Sequence, residues 1–453
     1  MKTLMLLTGF VMALLMVSCQ GAEIPTTTPS GTPAPSRQTT PTPIPSSPNA
    51  SGAPTEMATP TVVGVATSTV GIPAEARLKS QCLEVVPRLP SEVAPSGVVI
   101  LDSRVVVNGR YKPEAYLLDM ATGKTITIEH GGSFIISPDR TLMAYDSVIL
   151  DKQDRILKND LVIADASGQQ LKVIPWEKEW SAMLGWSDNQ HLILSQPDEV
   201  AVWKPNTLLV LNPFSGERQL LHPDFPRFLD VRGTVLPYWD GWYGVIYDPT
   251  LTRAIYPRFV GDGEERFTYA IWDRAKRQLV ISLENIFVAY SGENDMFPRP
   301  RWSPDGTQFV FRGLVHKSEQ LAEFELYRLS RDGQAEQLTH LTSIALVQDS
   351  NLSWSPDGRH IAMFLDDWGT YGQQAHVAVL DTTTLDITDY CVPVMYTGGA
   401  EPPIPIWSLD GKQFLVMGWD KENHTHVILV DIAQGFAAQI AEDMEPVGWM
   451  KAP

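Results

Sequence analysis

The chain has 453 residues, a formal net charge of −18 from 35 Lys and Arg against 53 Asp and Glu, and 3 cysteines. That acidic balance excludes a nucleic-acid binder, which needs a basic footprint, and excludes docking onto anionic lipid by charge. No apolar stretch after the N-terminal one approaches membrane-spanning length, so membrane attachment is expected to rest at the N-terminus.

Lys2 precedes an almost unbroken apolar run from Leu4 to Val17, the length of the h-region of an export signal. The run ends in Leu15-Met16-Val17-Ser18-Cys19, with small Ser18 directly before the cysteine. This resembles the lipobox of bacterial lipoproteins, with Met16 standing where the lipobox favours Leu. The resemblance implies that residues 1–18 are a lipoprotein signal peptide. It also implies that Cys19 is acylated and holds an extracytoplasmic protein on a bacterial membrane. The alternative is an ordinary signal peptide cut nearby.

Residues 19–75 are dominated by Thr, Pro, Ser, Ala and Gly, as in Thr40-Pro41-Thr42-Pro43-Ile44-Pro45. Such a segment has too little apolar surface to offset its ordering entropy, so it is expected to be a disordered tether. Proline keeps it extended, with a reach on the order of 100 Å. Residues 76–453 are left to hold the fold.

With Cys19 taken by lipid, Cys82 and Cys391 remain as an even pair in an oxidising compartment. A bridge between them closes a loop of roughly 310 residues and is worth ~5 kcal/mol on a chain-entropy estimate. Two separate buried thiols are the alternative.

The body of the chain repeats itself. Trp302-Ser303-Pro304-Asp305-Gly306 recurs as Trp354-Ser355-Pro356-Asp357-Gly358 and, altered, as Trp407-Ser408-Leu409-Asp410-Gly411. Weaker copies are Ser137-Pro138-Asp139-Arg140 and Trp186-Ser187-Asp188-Asn189, and the weakest is Tyr247-Asp248-Pro249. Pro presets φ for a type I turn, Asp caps it, and Gly accepts the positive φ at its exit. Apolar runs on both sides make each copy a hairpin, and the Trp is expected to fill the gap between neighbouring sheets. A second series of hairpins runs between the first, from Tyr116–Asp119 to Val427–Asp431.

Each unit therefore holds four strands. Ser303, Ser355 and Ser408 are spaced by 52 and 53 residues, which predicts seven units in the folded region, with six the alternative if Asp224–Leu283 is not one. The first unit starts on its second strand near Gly97, and the chain ends on an unpaired first strand carrying Trp449. The two ends are expected to complete one sheet and close a ring. The fold class expected is an all-β propeller of four-stranded antiparallel blades.

These Trp-Ser-Pro-Asp-Gly repeats resemble those of the TolB-like propeller superfamily, which is also found in prolyl-oligopeptidase-type proteins. The resemblance covers nearly everything from Gly97 onward and speaks to fold more than to function. Its members act as partner-binding platforms, as gates on peptidases, or as domains of unknown role.

Catalytic signatures are not found. There is no Gly-x-Ser-x-Gly nucleophile elbow and no alternating helix–strand region, which excludes a prolyl-oligopeptidase activity for this chain alone. A sialidase Asp-box needs a spacer between Asp and Gly, whereas Asp305-Gly306 and Asp357-Gly358 are adjacent. His424-Thr425-His426 with Glu422, and Asp366-Asp367, read as solvated loops. No metal and no cofactor are expected.

The richest binding candidate is Tyr238, Trp239, Trp242 and Tyr243, an aromatic cluster on a long loop, with Trp203 and Phe225 as neighbours in sequence. Rigid rings give contact area at low entropy cost. The alternative is that they fold inward over the weak blade. The function expected is a non-enzymatic protein-interaction module facing an envelope or extracellular protein. The alternative is a carbohydrate-binding or glycan-active protein using the central pocket.

Overall fold

The computed structural model describes residues 61–63 and 78–453, apart from 91–92, 94, 104–105, 108–109, 112–113, 130–133, 151–155, 179, 181, 197–206, 222–245, 260–266, 277, 284–300, 318–321, 332, 342–343, 347–351, 368–374, 395–403 and 420–423. Contacts divide the chain between Glu56 and Met57, and everything described belongs to the second unit. Among the described residues all regular structure is β.

The unit is a β-propeller with four-stranded blades, built from successive antiparallel sheets. Sheet 1 orders its strands Met444–Met450, Val98–Ser103, Glu114–Asp119 and Thr125–Glu129. Sheet 2 is Phe134–Ile136, Leu142–Leu150, Ile156–Asp165 and Gln170–Pro175. Sheet 3 is Ala182–Trp186, Leu192–Gln196, Thr207–Leu211 and Arg218–Leu221. Sheet 4, the degraded unit of the sequence, is Ile246–Tyr247, Arg253–Phe259, Phe267–Asp273 and Gln278–Leu283. Sheet 5 is Arg301–Trp302, Gln308–Lys317, Ala322–Ser330 and Ala335–Gln337. In sheet 6, Ile344–Leu346 and Ser353–Trp354 both pair with His360–Asp367, followed by Ala375–Asp381 and Ile387–Val394. Sheet 7 is Ile406–Trp407, Gln413–Trp419, Thr425–Asp431 and Phe436–Glu442.

Several middle strands are buried on both faces, which is why they read as unbroken apolar runs, whereas Glu114–Asp119 alternates between buried and half-buried residues. Val98–Ser103 is buried at every residue. The core lies between sheets rather than within them. Ile100 and Leu117 of sheet 1 cluster with Met143 and Tyr145 of sheet 2. Val310 and Leu326 of sheet 5 cluster with Ile361 and Met363 of sheet 6. Val99 and Trp449 of sheet 1 cluster with Leu415 and Leu429 of sheet 7.

In sheet 1 the C-terminal strand pairs with the first strand after the N-terminal segment, Trp449 opposite Val99 and Met450 opposite Val98. Gly97, at φ +110°, makes the turn into that strand. A Cβ there would lie 2.6 Å from both the Met450 carbonyl and the Trp449 indole nitrogen, so only glycine fits.

The repeat pattern does not announce what the N-terminal segment does. Leu78–Ser80 adds to sheet 6 in parallel beside Ile387–Val394. Val85–Val86 adds to sheet 7 in parallel beside Phe436–Glu442. Thr61–Val63, inside the stretch expected to be tether, adds to sheet 4 in parallel beside Gln278–Leu283. Three outer edges are therefore covered by the chain's own leading segment.

Candidate functional site at the turns and sheet edges

The Ser-Pro-Asp-Gly residues build one repeated turn. The Gly306 amide donates to the Ser303 carbonyl at 2.9 Å, and Ser303 Oγ donates to Asp305 Oδ1 at 2.5 Å. The same pair of bonds recurs through Ser355, Asp357 and Gly358, and through Ser408, Asp410 and Gly411. Burial works against the charged form of Asp305, yet hydrogen bonds from Ser303 and Thr307 hold its pKa below the usual carboxylate range. Asp139, Asp357 and Asp410 show the same balance. These acids are structural caps.

Sheet 4 keeps the turn with its chemistry reversed. Asp248 stands where the other turns have Ser and Thr250 where they have Asp, so Thr250 Oγ1 donates to Asp248 Oδ2 at 2.6 Å. Leu251 takes the glycine position at φ +55°. The Asp248 side chain is fully buried and meets Arg331 of sheet 5 at 2.9 Å.

The repeated Trp residues lie between sheets, as expected, and each also makes a directed bond. The indole N–H of Trp186 donates to the Ile135 carbonyl of the preceding sheet at 3.2 Å. Trp354 donates to Arg301 and Trp407 to Ser353, both at 3.1 Å. Trp449 instead donates to Ser96 at 3.0 Å, where the N-terminal segment enters sheet 1. Trp302 Nε1 is buried without a hydrogen-bond partner among the described residues, at the junction with the two-residue first strand of sheet 4.

Cys82 and Cys391 are bonded, with Cα atoms 4.7 Å apart. The bridge lies between the two parallel additions, Leu78–Ser80 and Val85–Val86. Cys391 sits at φ +56° in a bulge of the last strand of sheet 6. Cys19, Tyr238, Trp239, Trp242, Tyr243, Trp203 and Phe225 lie outside the described residues, as does Glu422.

Two grooves flank this N-terminal strap. A cavity of about 480 Å³ is lined by Arg88 and Leu89 of the strap, Leu118 and Met120 of sheet 1, and Ile440 and Glu442 of sheet 7. A smaller one of about 290 Å³ holds Lys79, His360, Asp381, Asp386 and Tyr390. Its charges are already paired, Lys79 with Asp386 at 2.9 Å and Arg359 with Asp381 at 3.1 Å. His360 stacks on Trp407, and burial pulls its pKa down against the carboxylates of Asp357 and Asp381. Burial also pushes the Tyr390 phenol up to about 12. Stacked His360, Tyr390 and the paired charges make this groove a packed polar junction between sheets 6 and 7. Among the described residues, no group of three or more His, Cys, Asp or Glu gathers as a metal site would.

The outer sheet edges differ in a way that the repeats do not signal. Large apolar side chains are exposed on the last strands of sheets 1 to 3, at Ile126, Leu171, Val173 and Leu220, all at least 43% accessible. Periodicity marks these strands as apolar but cannot tell a covered edge from a bare one.

No family model and no curated protein sequence matches this chain. Solved structures similar to it include TolB from Acinetobacter baumannii, at 15% identity over 78% of this chain and 83% of that one, TM-score 0.39. The oligogalacturonate lyase from Vibrio parahaemolyticus shares 12% identity over 76% and 86%, TM-score 0.44. The β-propeller domain of the Trilobed protease from Pyrococcus furiosus shares 12% over 77% and 93%, TM-score 0.47. These likenesses are too distant to carry function, and the propeller assignment stands on the chain's own strand pairing.

Proposed function

We propose that this chain is a protein-interaction module, held outside the cytoplasm at the bacterial envelope by an acylated Cys19 and a tether that ends where Thr61–Val63 joins sheet 4. The same reading makes sheets 1 to 7 the blades of one seven-bladed ring closed at sheet 1. Core clusters shared between consecutive sheets, including sheet 7 with sheet 1, support that ring. The observation that carries the functional reading is strand addition. Three outer edges of this propeller already bind extended polypeptide, so the scaffold is suited to recognising protein segments through backbone hydrogen bonds.

The test is in-cell crosslinking and affinity capture of the full-length protein, with Cys19→Ala and a Trp239→Ala/Trp242→Ala double variant as controls. The reading expects one reproducible envelope or extracellular protein, and its release from the membrane fraction in Cys19→Ala. Loss of the partner in the double variant would place its surface on that aromatic loop. No protein partner in any sample would overturn the reading and favour a glycan ligand.

A further inference from the structure

Resting on the interaction-module reading, we propose that the outer strand of sheet 2, Gln170–Pro175, binds an extended partner peptide in parallel. The peptide carries aliphatic side chains on one face and acidic side chains on the other.

Edge length singles out this strand. The outer strands that the chain covers itself are Gln278–Leu283, Ile387–Val394 and Phe436–Glu442, of 6, 8 and 7 residues. The other uncovered outer strands, Thr125–Glu129, Arg218–Leu221 and Ala335–Gln337, have 5, 4 and 3. Gln170–Pro175 has 6 and is exposed at every residue except the half-buried Ile174. It is as long as an edge that takes a strand, and it stands bare among the described residues.

The backbone there points the right way. The Trp176 amide donates to the Asn159 carbonyl at 2.9 Å, so that pair is hydrogen-bonded. Antiparallel ladders alternate, which makes Val162 and Val173 a non-bonded pair. The N–H and C=O of Val173 therefore face away from the sheet, as a parallel addition requires. The Leu171 and Val173 side chains are both 43% exposed, and Ile156 and Leu157 of the neighbouring strand are 64% and 67% exposed. All three additions made by the chain itself are parallel, and two of them are written in valine, Thr61-Val62-Val63 and Val85-Val86.

Charge narrows the partner. The strand carries Lys172 and no carboxylate, on a chain of net charge −18. A lysine on an open edge discourages indiscriminate pairing and admits a strand with an acid opposite it.

The experiment uses the purified full chain and a fluorescein-labelled ten-residue peptide of alternating valine and aspartate. Binding is read by anisotropy, with hydrogen exchange reporting on Gln170–Pro175. Val173→Pro removes an outward donor without breaking the ladder, and is expected to weaken binding about tenfold at an unchanged melting temperature. Lys172→Glu is expected to lose the valine–aspartate peptide and gain a valine–lysine one. Equal binding by Val173→Pro, or no charge swap, would overturn the proposal. So would protection of Gln170–Pro175 before peptide is added, which would assign the edge to this chain or to a second copy of it. A captured envelope partner that persists in Val173→Pro would leave the module reading standing while removing this edge from it.

Discussion

The guanidinium of Arg140, in the first turn of sheet 2, donates to the main-chain carbonyl of Trp407 in sheet 7. Between those two sheets lies sheet 1, whose first and second strands come from opposite ends of the chain and so have no turn joining them. Elsewhere neighbouring turns touch: a Cβ on Gly306 would meet Pro249 at 3.1 Å, and Gly411 lies against Ser355 and Pro356. Where a turn is missing from this series, Arg140 reaches across. Its own carbonyl accepts from the Lys451 amide at 2.8 Å, so one residue fastens the C-terminus as well.

Arg140 occupies the position of Gly306 and Gly358, at φ +61° beside their +67° and +69°. Glycine there would relieve about 1 kcal/mol of left-handed strain but would lose a charge-assisted hydrogen bond worth about 1.5–3 kcal/mol. Arg140→Gly is therefore expected to melt below the wild type, and Arg140→Ala lower still because it keeps the strain. An Arg140→Gly protein more stable than the wild type would show that the bond contributes nothing.

The strap makes a second prediction. Cys82–Cys391 closes 309 residues and fixes a segment otherwise held by two short parallel pairings, the Gln81 and Leu83 amide bonds to sheet 6, the Lys79–Asp386 pair and the packing of Leu78, Leu83 and Val85. Replacing both cysteines by alanine is expected to cost about 2–5 kcal/mol. The loss should begin locally, with amides of residues 78–86 exchanging before those of Val98–Ser103. Simultaneous exchange of both segments would mean that the strap unfolds only with the propeller.

The propeller was legible because its signals are local: Pro, Asp and Gly specify a turn through a few backbone angles, and the Trp series marks one register. The seam at sheet 4 was less legible, since Asp248 and Thr250 keep the turn's bond by exchanging donor and acceptor, which no Ser-x-Asp pattern detects. The strap was invisible for a different reason. Parallel additions of two or three residues carry no periodicity, and their partners lie about 200 to 350 residues away in sequence. Of the candidate residues, the turn acids proved to be caps, while the aromatic loop lies outside the described residues.

The difference between Trp354 and Trp302 can be measured. Trp354→Phe removes an indole donor from the Arg301 carbonyl and is expected to cost about 1 kcal/mol beyond the change in packing. Trp302 makes no such bond among the described residues, so Trp302→Phe should be milder. Equal losses in chemical denaturation would show that the bonds between sheets add nothing to packing.

The turn acids are expected to contribute to the acid limit of the fold. Burial raises the pKa of Asp139, Asp305, Asp357 and Asp410, but hydrogen bonds from Ser137, Ser303, Ser355 and Ser408 outweigh it, leaving each folded pKa depressed. A depressed carboxylate binds its proton less readily folded than unfolded, so its contribution is complete above the unfolded value of about 3.9. That contribution is lost as pH falls through the folded pKa. Stability is therefore expected to be flat with respect to these groups from neutral pH to about 5, and to fall below about 4. Asp305→Asn with Asp357→Asn should lower stability at neutral pH and flatten the acid slope, as read by denaturant midpoints at a series of pH values. An unchanged slope in the double variant would place the acid sensitivity with the other depressed carboxylates, Asp188 and Asp381, because half-buried His360, its pKa pulled down by burial, would instead lose stability at higher pH, below its unfolded value of about 6.5.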